Sequence, residues 1–100
     1  MPGPSIKICG ITTPQALSAT IKARAEYVGF NFYPPSPRFL AFSEAPALAE
    51  QAQGRITRVG VFVDADDAFI AEAVAAARLD AIQLHGHEAP ERAAQVRARF

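Results

Sequence analysis

Four groups of residues have the types and placement to do chemistry. Cys9, the single cysteine of the chain, closes an apolar run in Lys7-Ile8-Cys9-Gly10-Ile11-Thr12. A thiolate there can act as nucleophile or general base, helped by the Lys7 charge. The plainer alternative is a small buried hydrophobe. Arg38 lies in Tyr33-Pro34-Pro35-Ser36-Pro37-Arg38-Phe39, where three prolines stiffen the loop. A stiff loop holds a guanidinium at low entropic cost, ready to clamp a carboxylate or phosphate bidentately; a solvated surface arginine is the alternative. His85 and His87 form His-Gly-His after a short apolar run. Two histidines alone cannot build a metal site, so His85 reads as a substrate-contacting donor and His87 as a solvated loop residue. Asp64-Ala65-Asp66-Asp67 superficially resembles a phosphatase aspartate pair, but favourable charge at a helix start explains it. No glycine-rich phosphate loop is present.

These residues need elements to position them. Apolar runs of strand length fall at residues 5–10, 27–32, 57–63 and 81–85, each too short for a helix. Between them lie Ala-rich segments with helical spacing, clearest where Phe69, Ile70, Ala73, Val74 and Ala77 share a face. Leu17 and Ile21 anchor a first helix, Leu48 a second, and Val96 with Phe100 a last. Thr13-Pro14 reads as N-cap and first-turn proline, and Ser43, Glu44 and Pro46 open the second helix. The three aspartates precede the third helix, and Pro90 opens the fourth behind Ala89, a poor cap.

The order β-α-β-α-β-α-β-α implies a parallel sheet with right-handed crossovers. Strand starts lie about 22, 30 and 24 residues apart, compatible with the ~30 residues per unit of an eight-unit barrel or with a doubly wound sheet. Strand parity discriminates between them. One parity collects Ile6, Ile8, Val28, Phe30, Phe32, Val59, Val61, Val63, Ile82 and Leu84. The other collects Lys7, Cys9, Gly29, Asn31, Gly60, Phe62, Asp64, Gln83 and His85. One greasy face and one small or polar face fit a barrel with helices outside and chemistry at the strand C-termini. A doubly wound sheet would be apolar on both.

Composition bounds the function. The chain has 100 residues, 50% of them hydrophobic, and a formal net charge of zero. That balance argues against nucleic-acid partners and a polybasic membrane anchor. No apolar run approaches the ~18 residues of a spanning helix, and Met1-Pro2-Gly3-Pro4 does not read as a signal peptide. One cysteine excludes an internal disulfide framework, so a reducing, cytoplasmic compartment is expected.

The motifs Lys7-Ile8-Cys9-Gly10-Ile11-Thr12, Tyr27-Val28-Gly29-Phe30-Asn31-Phe32-Tyr33-Pro34 with Ser36-Pro37-Arg38, Val59-Gly60-Val61-Phe62-Val63 and Gln83-Leu84-His85-Gly86 together resemble the phosphoribosylanthranilate isomerase family. They occur in the family's order and cover nearly the whole chain. The resemblance implies a (β/α)₈ TIM barrel of tryptophan biosynthesis. It implies an Amadori rearrangement of N-(5-phosphoribosyl)anthranilate without metal or organic cofactor. It also implies that Cys9 is the general base and that Arg38 holds the anthranilate carboxylate. An aspartate in the barrel's second half would be the general acid.

Three departures from the family pattern stand out. The turn before the second strand, usually Gly-Ala-Asp, reads Arg24-Ala25-Glu26; a positive φ at Arg24 would cost about 1 kcal/mol. Ala89 replaces a capping Ser or Thr, costing roughly another 1 kcal/mol. The chain stops at Phe100, after four βα units. Residues 1–100 therefore read as the N-terminal (βα)₄ half of a single barrel domain, without isomerase activity alone. Open sheet edges would invite self-association or a C-terminal half-barrel partner. The competing functions are a module that works only by such association, another phosphosugar barrel, or a magnesium-dependent phosphatase using Asp64.

Overall fold

A computed structural model describes residues 6–86 and 88–100. Ser5, His87 and the Met1–Pro4 segment lie outside the described residues. The eight elements follow in the expected order: β1 (Lys7–Cys9), α1 (Pro14–Lys22), β2 (Tyr27–Asn31), α2 (Ala45–Ala52), β3 (Thr57–Phe62), α3 (Asp67–Ala77), β4 (Ala81–Leu84) and α4 (Pro90–Arg99). All strands are parallel, in the order β1-β2-β3-β4. This is a (βα)₄ half of a TIM barrel.

The helix starts follow local chemistry. The Thr13 side chain accepts from the Ala16 amide at 3.1 Å, with Pro14 in the first turn. Asp66 accepts from the Phe69 amide at 2.8 Å. Glu44 precedes α2 without a side-chain cap bond, and so does Ala89 before α4. Asp67 pairs with Arg92 at 2.5 Å and Arg99 at 3.7 Å, tying the start of α3 to α4. Asp64 departs from its expected capping role: it sits outside the helix with φ of 50°.

The register corrects the reading of β3. Gly29 pairs with Val59, Asn31 with Val61, and Val61 with Gln83. Paired residues project to the same side of a sheet. Val59 and Val61 therefore lie on the concave face with Cys9, Gly29 and Gln83, whereas Gly60 and Phe62 lie on the helix side. The expected assignment was the reverse. Its failure has a physical cause: β3 is apolar on both parities, so hydrophobicity carries no phase there, and only pairing with β2 sets it. Phe62 is fully buried and stacks on Phe32 at 5.5 Å between ring centroids, with its edge relation to Phe69 of α3 at 6.3 Å. Burying such a side chain contributes about 1.5–3 kcal/mol. Gly60 is small because Leu79 occupies the space a side chain would need.

The core lies between this helix side and α1–α4, with Leu17, Val28, Phe30, Phe32, Phe62 and Ile70 fully buried. On β1 the same side is bare: Ile6 and Ile8 are 49% and 39% exposed. The sheet is nonetheless curled, since the Lys7 amine on one edge strand donates to the Gln83 side chain on the other.

Candidate active site

The C-terminal ends of the strands carry Cys9, Arg38 and His85. Cys9 ends β1 opposite Gly29 of β2 and is exposed. A Cβ built on Gly29 would lie 2.8 Å from the Cys9 Sγ, so the thiol occupies the space that glycine leaves. The next residue, Gly10, has φ of 79°, a conformation that favours glycine, and its amide donates to the Gly29 carbonyl at 2.9 Å. The chain thus turns away from β1 directly after the thiol.

Arg38 reaches the same spot from the loop after β2. A Cβ on Gly10 would stand 2.5 Å from the Arg38 Cδ and 3.4 Å from its Nε and Nη1. The guanidinium therefore lies across Gly10, beside the residue that carries the thiol. Proline stiffness is only part of the reason. The Asn31 side chain accepts from the Tyr33 amide at 2.8 Å, and the Asn31 carbonyl accepts from the Leu40 amide at 2.8 Å. Ser36 Oγ accepts from the Arg38 amide at 3.1 Å, and fully buried Leu40 anchors the far end. An Asn before a turn is a local signal, and Asn31 gives it here without being among the expected site residues.

His85 follows β4 on the concave parity, three strands away from β1. It is exposed, and its amide donates to the Phe62 carbonyl at 2.8 Å. The structure thus brings Arg38 to Cys9 and places His85 at the same end of the sheet, across the mouth. Lys7, whose charge is expected to assist the thiolate, donates its amine to the Gln83 side chain. Between β3 and β4 stands an arrangement with no sequence signal. The Glu88 carboxylate accepts from the Asp64 amide at 2.7 Å and from the Gly86 amide at 2.8 Å. Among the described residues no group of three His, Cys, Asp or Glu side chains is disposed to hold a metal ion. An exposed thiol beside a guanidinium fork, with an imidazole opposite, can take a proton from carbon while an anionic group is clamped.

Known proteins share the sequence and fold of this chain. The family model described as N-(5'phosphoribosyl)anthranilate (PRA) isomerase matches residues 6–100. An N-(5'-phosphoribosyl)anthranilate isomerase of Paramagnetospirillum magneticum is 47% identical over 95 residues, covering 95% of this chain and 44% of the relative. That of Azorhizobium caulinodans is 50% identical over 94 residues, covering 94% and 41%. The crystal structure of phosphoribosyl anthranilate isomerase from Thermotoga maritima superposes with a TM-score of 0.91 at 33% identity, covering 98% of this chain and 48% of that one. A phosphoribosyl anthranilate isomerase in complex with reduced 1-(o-carboxyphenylamino)-1-deoxyribulose 5-phosphate also matches at a TM-score of 0.91 and 33% identity, with half of that chain covered. The chain spans less than half the length of those two sequence relatives. With the family model matched from β1 through α4, the chain belongs to the N-(5'-phosphoribosyl)anthranilate isomerase family.

Proposed function

We propose that residues 1–100 are the N-terminal half of one phosphoribosylanthranilate isomerase barrel domain and supply its general base and carboxylate clamp. The reaction is the Amadori rearrangement of N-(5-phosphoribosyl)anthranilate to 1-(2-carboxyphenylamino)-1-deoxyribulose 5-phosphate, a step of tryptophan biosynthesis, without a cofactor. A general acid, an aspartate of the second half, protonates the ribose ring oxygen and the ring opens to an iminium. Cys9 as thiolate takes the C2 proton, leaving an enolamine that tautomerises to the ketone. Arg38 meets the planar anthranilate carboxylate with its planar fork, and His85 donates a hydrogen bond to the substrate from the opposite side.

The observation that carries this reading is Arg38 lying across Gly10, next to Cys9. A base and a carboxylate clamp from different strands meet there, at the end of the sheet where barrel enzymes do their chemistry. The relative bound to the reduced product analogue supports the same substrate class. The chain acts in the cytoplasm, where a lone catalytic thiol stays reduced; among the described residues no helix is long and apolar enough to cross a membrane.

Both edges of the sheet are open, and a groove of about 700 Å³ runs beside β4 between Val74, Ile82, Leu84, Val96 and Phe100. The missing partner is a second (βα)₄ unit pairing with β4 and β1, as the rest of a longer chain, as a separate C-terminal half-barrel, or as a second copy. The test is turnover of phosphoribosylanthranilate by the purified 100-residue chain and by a barrel completed with a second half. The expected result is no turnover by the chain alone and turnover by the completed barrel that Cys9→Ala lowers by about 10³-fold. Parent-like turnover in Cys9→Ala, or turnover by the isolated chain, would overturn this assignment.

A further inference from the structure

We propose that Glu88 is a positioning residue that locks the turns after β3 and β4 together and thereby sets His85; the kinetic part rests on the isomerase reading above. One carboxylate accepts two backbone amides, from Asp64 at 2.7 Å and Gly86 at 2.8 Å, using a different oxygen for each. Asp64 lies in the turn after β3, and Gly86 and Glu88 lie in the turn after β4, so the Asp64 bond links two loops at the mouth while the Gly86 bond fixes the carboxylate within its own. Charge-assisted hydrogen bonds of this kind are about twice as strong as neutral ones. The turns it joins are already committed to close approach. Asp64 has φ of 50°, and a Cβ on Gly86 would lie 2.8 Å from the Asp64 Oδ1 and 3.0 Å from the Val63 Cγ1. Glycine at 86 is therefore what lets the loop carrying His85 pack onto the one carrying Asp64. His85 sits between the clamped Gly86 amide and its own bond to the Phe62 carbonyl at 2.8 Å. Its backbone is held from both sides, and Glu88 supplies the side that no strand pairing provides.

The experiment compares Glu88→Gln and Glu88→Ala with the parent, in the 100-residue chain and in the barrel completed by a second half. Amide hydrogen exchange at Asp64, His85 and Gly86 is read in both, and KM and kcat in the completed barrel alone. Losing a hydrogen bond of ordinary strength corresponds to about tenfold. Exchange at the Asp64 and Gly86 amides is expected to quicken by about that factor in Glu88→Ala, with KM rising about tenfold and kcat within about twofold. Glu88→Gln, which keeps one acceptor oxygen, is expected to free only one of the two amides. In a His85→Ala background, Glu88→Ala should raise KM no further, because the two residues act through one contact. Unchanged exchange at both amides, or KM effects that multiply in the double variant, would overturn the proposal. Absence of turnover in the parent barrel would defeat the isomerase reading alone, and exchange would then decide the role of Glu88.

Discussion

The two ends of the sheet are built on opposite principles. At the N-terminal end, Arg58 on the helix side of β3 meets Asp80 just before β4 in a closed clasp. Its Nε and Nη2 donate to the Asp80 carboxylate at 3.2 and 3.3 Å, its backbone amide donates to the same carboxylate at 2.9 Å, and Nη1 donates to the Ala49 carbonyl at 3.3 Å. The Asp80 amide returns a bond to the Arg58 carbonyl at 2.8 Å. Both the guanidinium and the carboxylate are committed within the chain. At the C-terminal end, the Cys9 thiol, the Arg38 guanidinium and the His85 imidazole are exposed, while effort goes into holding their backbones: Gly10, the Asn31-braced loop and the Glu88 cross-link. One end spends its polar groups on stability; the other fixes main chain so that side chains stay available. That division is the one expected of a barrel enzyme, whose conserved chemistry sits on the C-terminal face.

The sharpest way to break this comparison is to act on the mouth and ask whether stability moves. In the completed barrel, Cys9→Ala should lower kcat by about 10³-fold, as for removal of a general base, with the denaturation midpoint nearly unchanged. A large stability loss instead would make Cys9 a core residue. The next largest effect is expected from Gly29→Ala. Its new methyl carbon would meet the Cys9 Sγ at 2.8 Å, so the thiol must shift, and a displacement of order 1 Å costs about 100-fold in rate. Steady-state kinetics checks this, and a kcat equal to the parent's would show that the thiol position is not critical.

At the other end the expectation inverts. Arg58→Ala should leave kcat/KM of the completed barrel unchanged and cost about 2 kcal/mol in chemical denaturation, less than a fully buried pair because the Asp80 side chain is 43% exposed. The same clasp gives a pH signature. Burial alone would raise the Asp80 carboxyl, but hydrogen bonds from the Arg58 side chain and backbone, and its charge, outweigh that and hold it below the usual 3.8. A carboxylate with a depressed folded value stabilises the fold fully above the unfolded value, and loses that contribution as pH falls from about 3.8 through the folded one. Asp80→Asn should abolish this acid-range component while leaving the neutral-pH kinetics alone.

How much of this was legible in the sequence follows from which interactions are local. The strands, the helices, the Thr13 and Asp66 caps and the uncapped start at Ala89 depend on neighbours a few residues away, and they read correctly. The face of β3 did not, because Val59, Val61 and Phe62 are interchangeable by hydrophobicity and only the register Gly29↔Val59 separates them. Cys9, Arg38 and His85 stood out by type and by their place at strand ends. What sequence could not provide was the seat of Arg38 on Gly10, a contact between segments nearly thirty residues apart. Glu88 was invisible for a related reason. Its partners are main-chain amides, which every residue carries, so no residue type marks them, and Asp64 lies 24 residues away.

The smallest effects test whether strain is confined to where it is useful. Among the described residues three non-glycine residues have positive φ: Arg24 at 61°, Arg78 at 49° and Asp64 at 50°. Arg24 and Arg78 end α1 and α3, at the clasped end of the sheet, where a glycine would serve the αL turn without strain. Arg24→Gly should therefore stabilise the chain by about 1 kcal/mol, read as a shift of the denaturation midpoint at constant m-value. Arg78→Gly relieves the same conformation but removes a bond from its Nη1 to the Gln53 side chain at 2.8 Å. An exposed hydrogen bond of that kind is worth about 0.5–1 kcal/mol, so the net gain at Arg78 should be close to zero. Equal gains at both positions would mean that the Gln53 bond contributes nothing in solution. Loss of stability at Arg24 would mean that its side chain makes a contribution larger than the strain it bears, and the clasped end would then owe more to Arg24 than its backbone angle suggests.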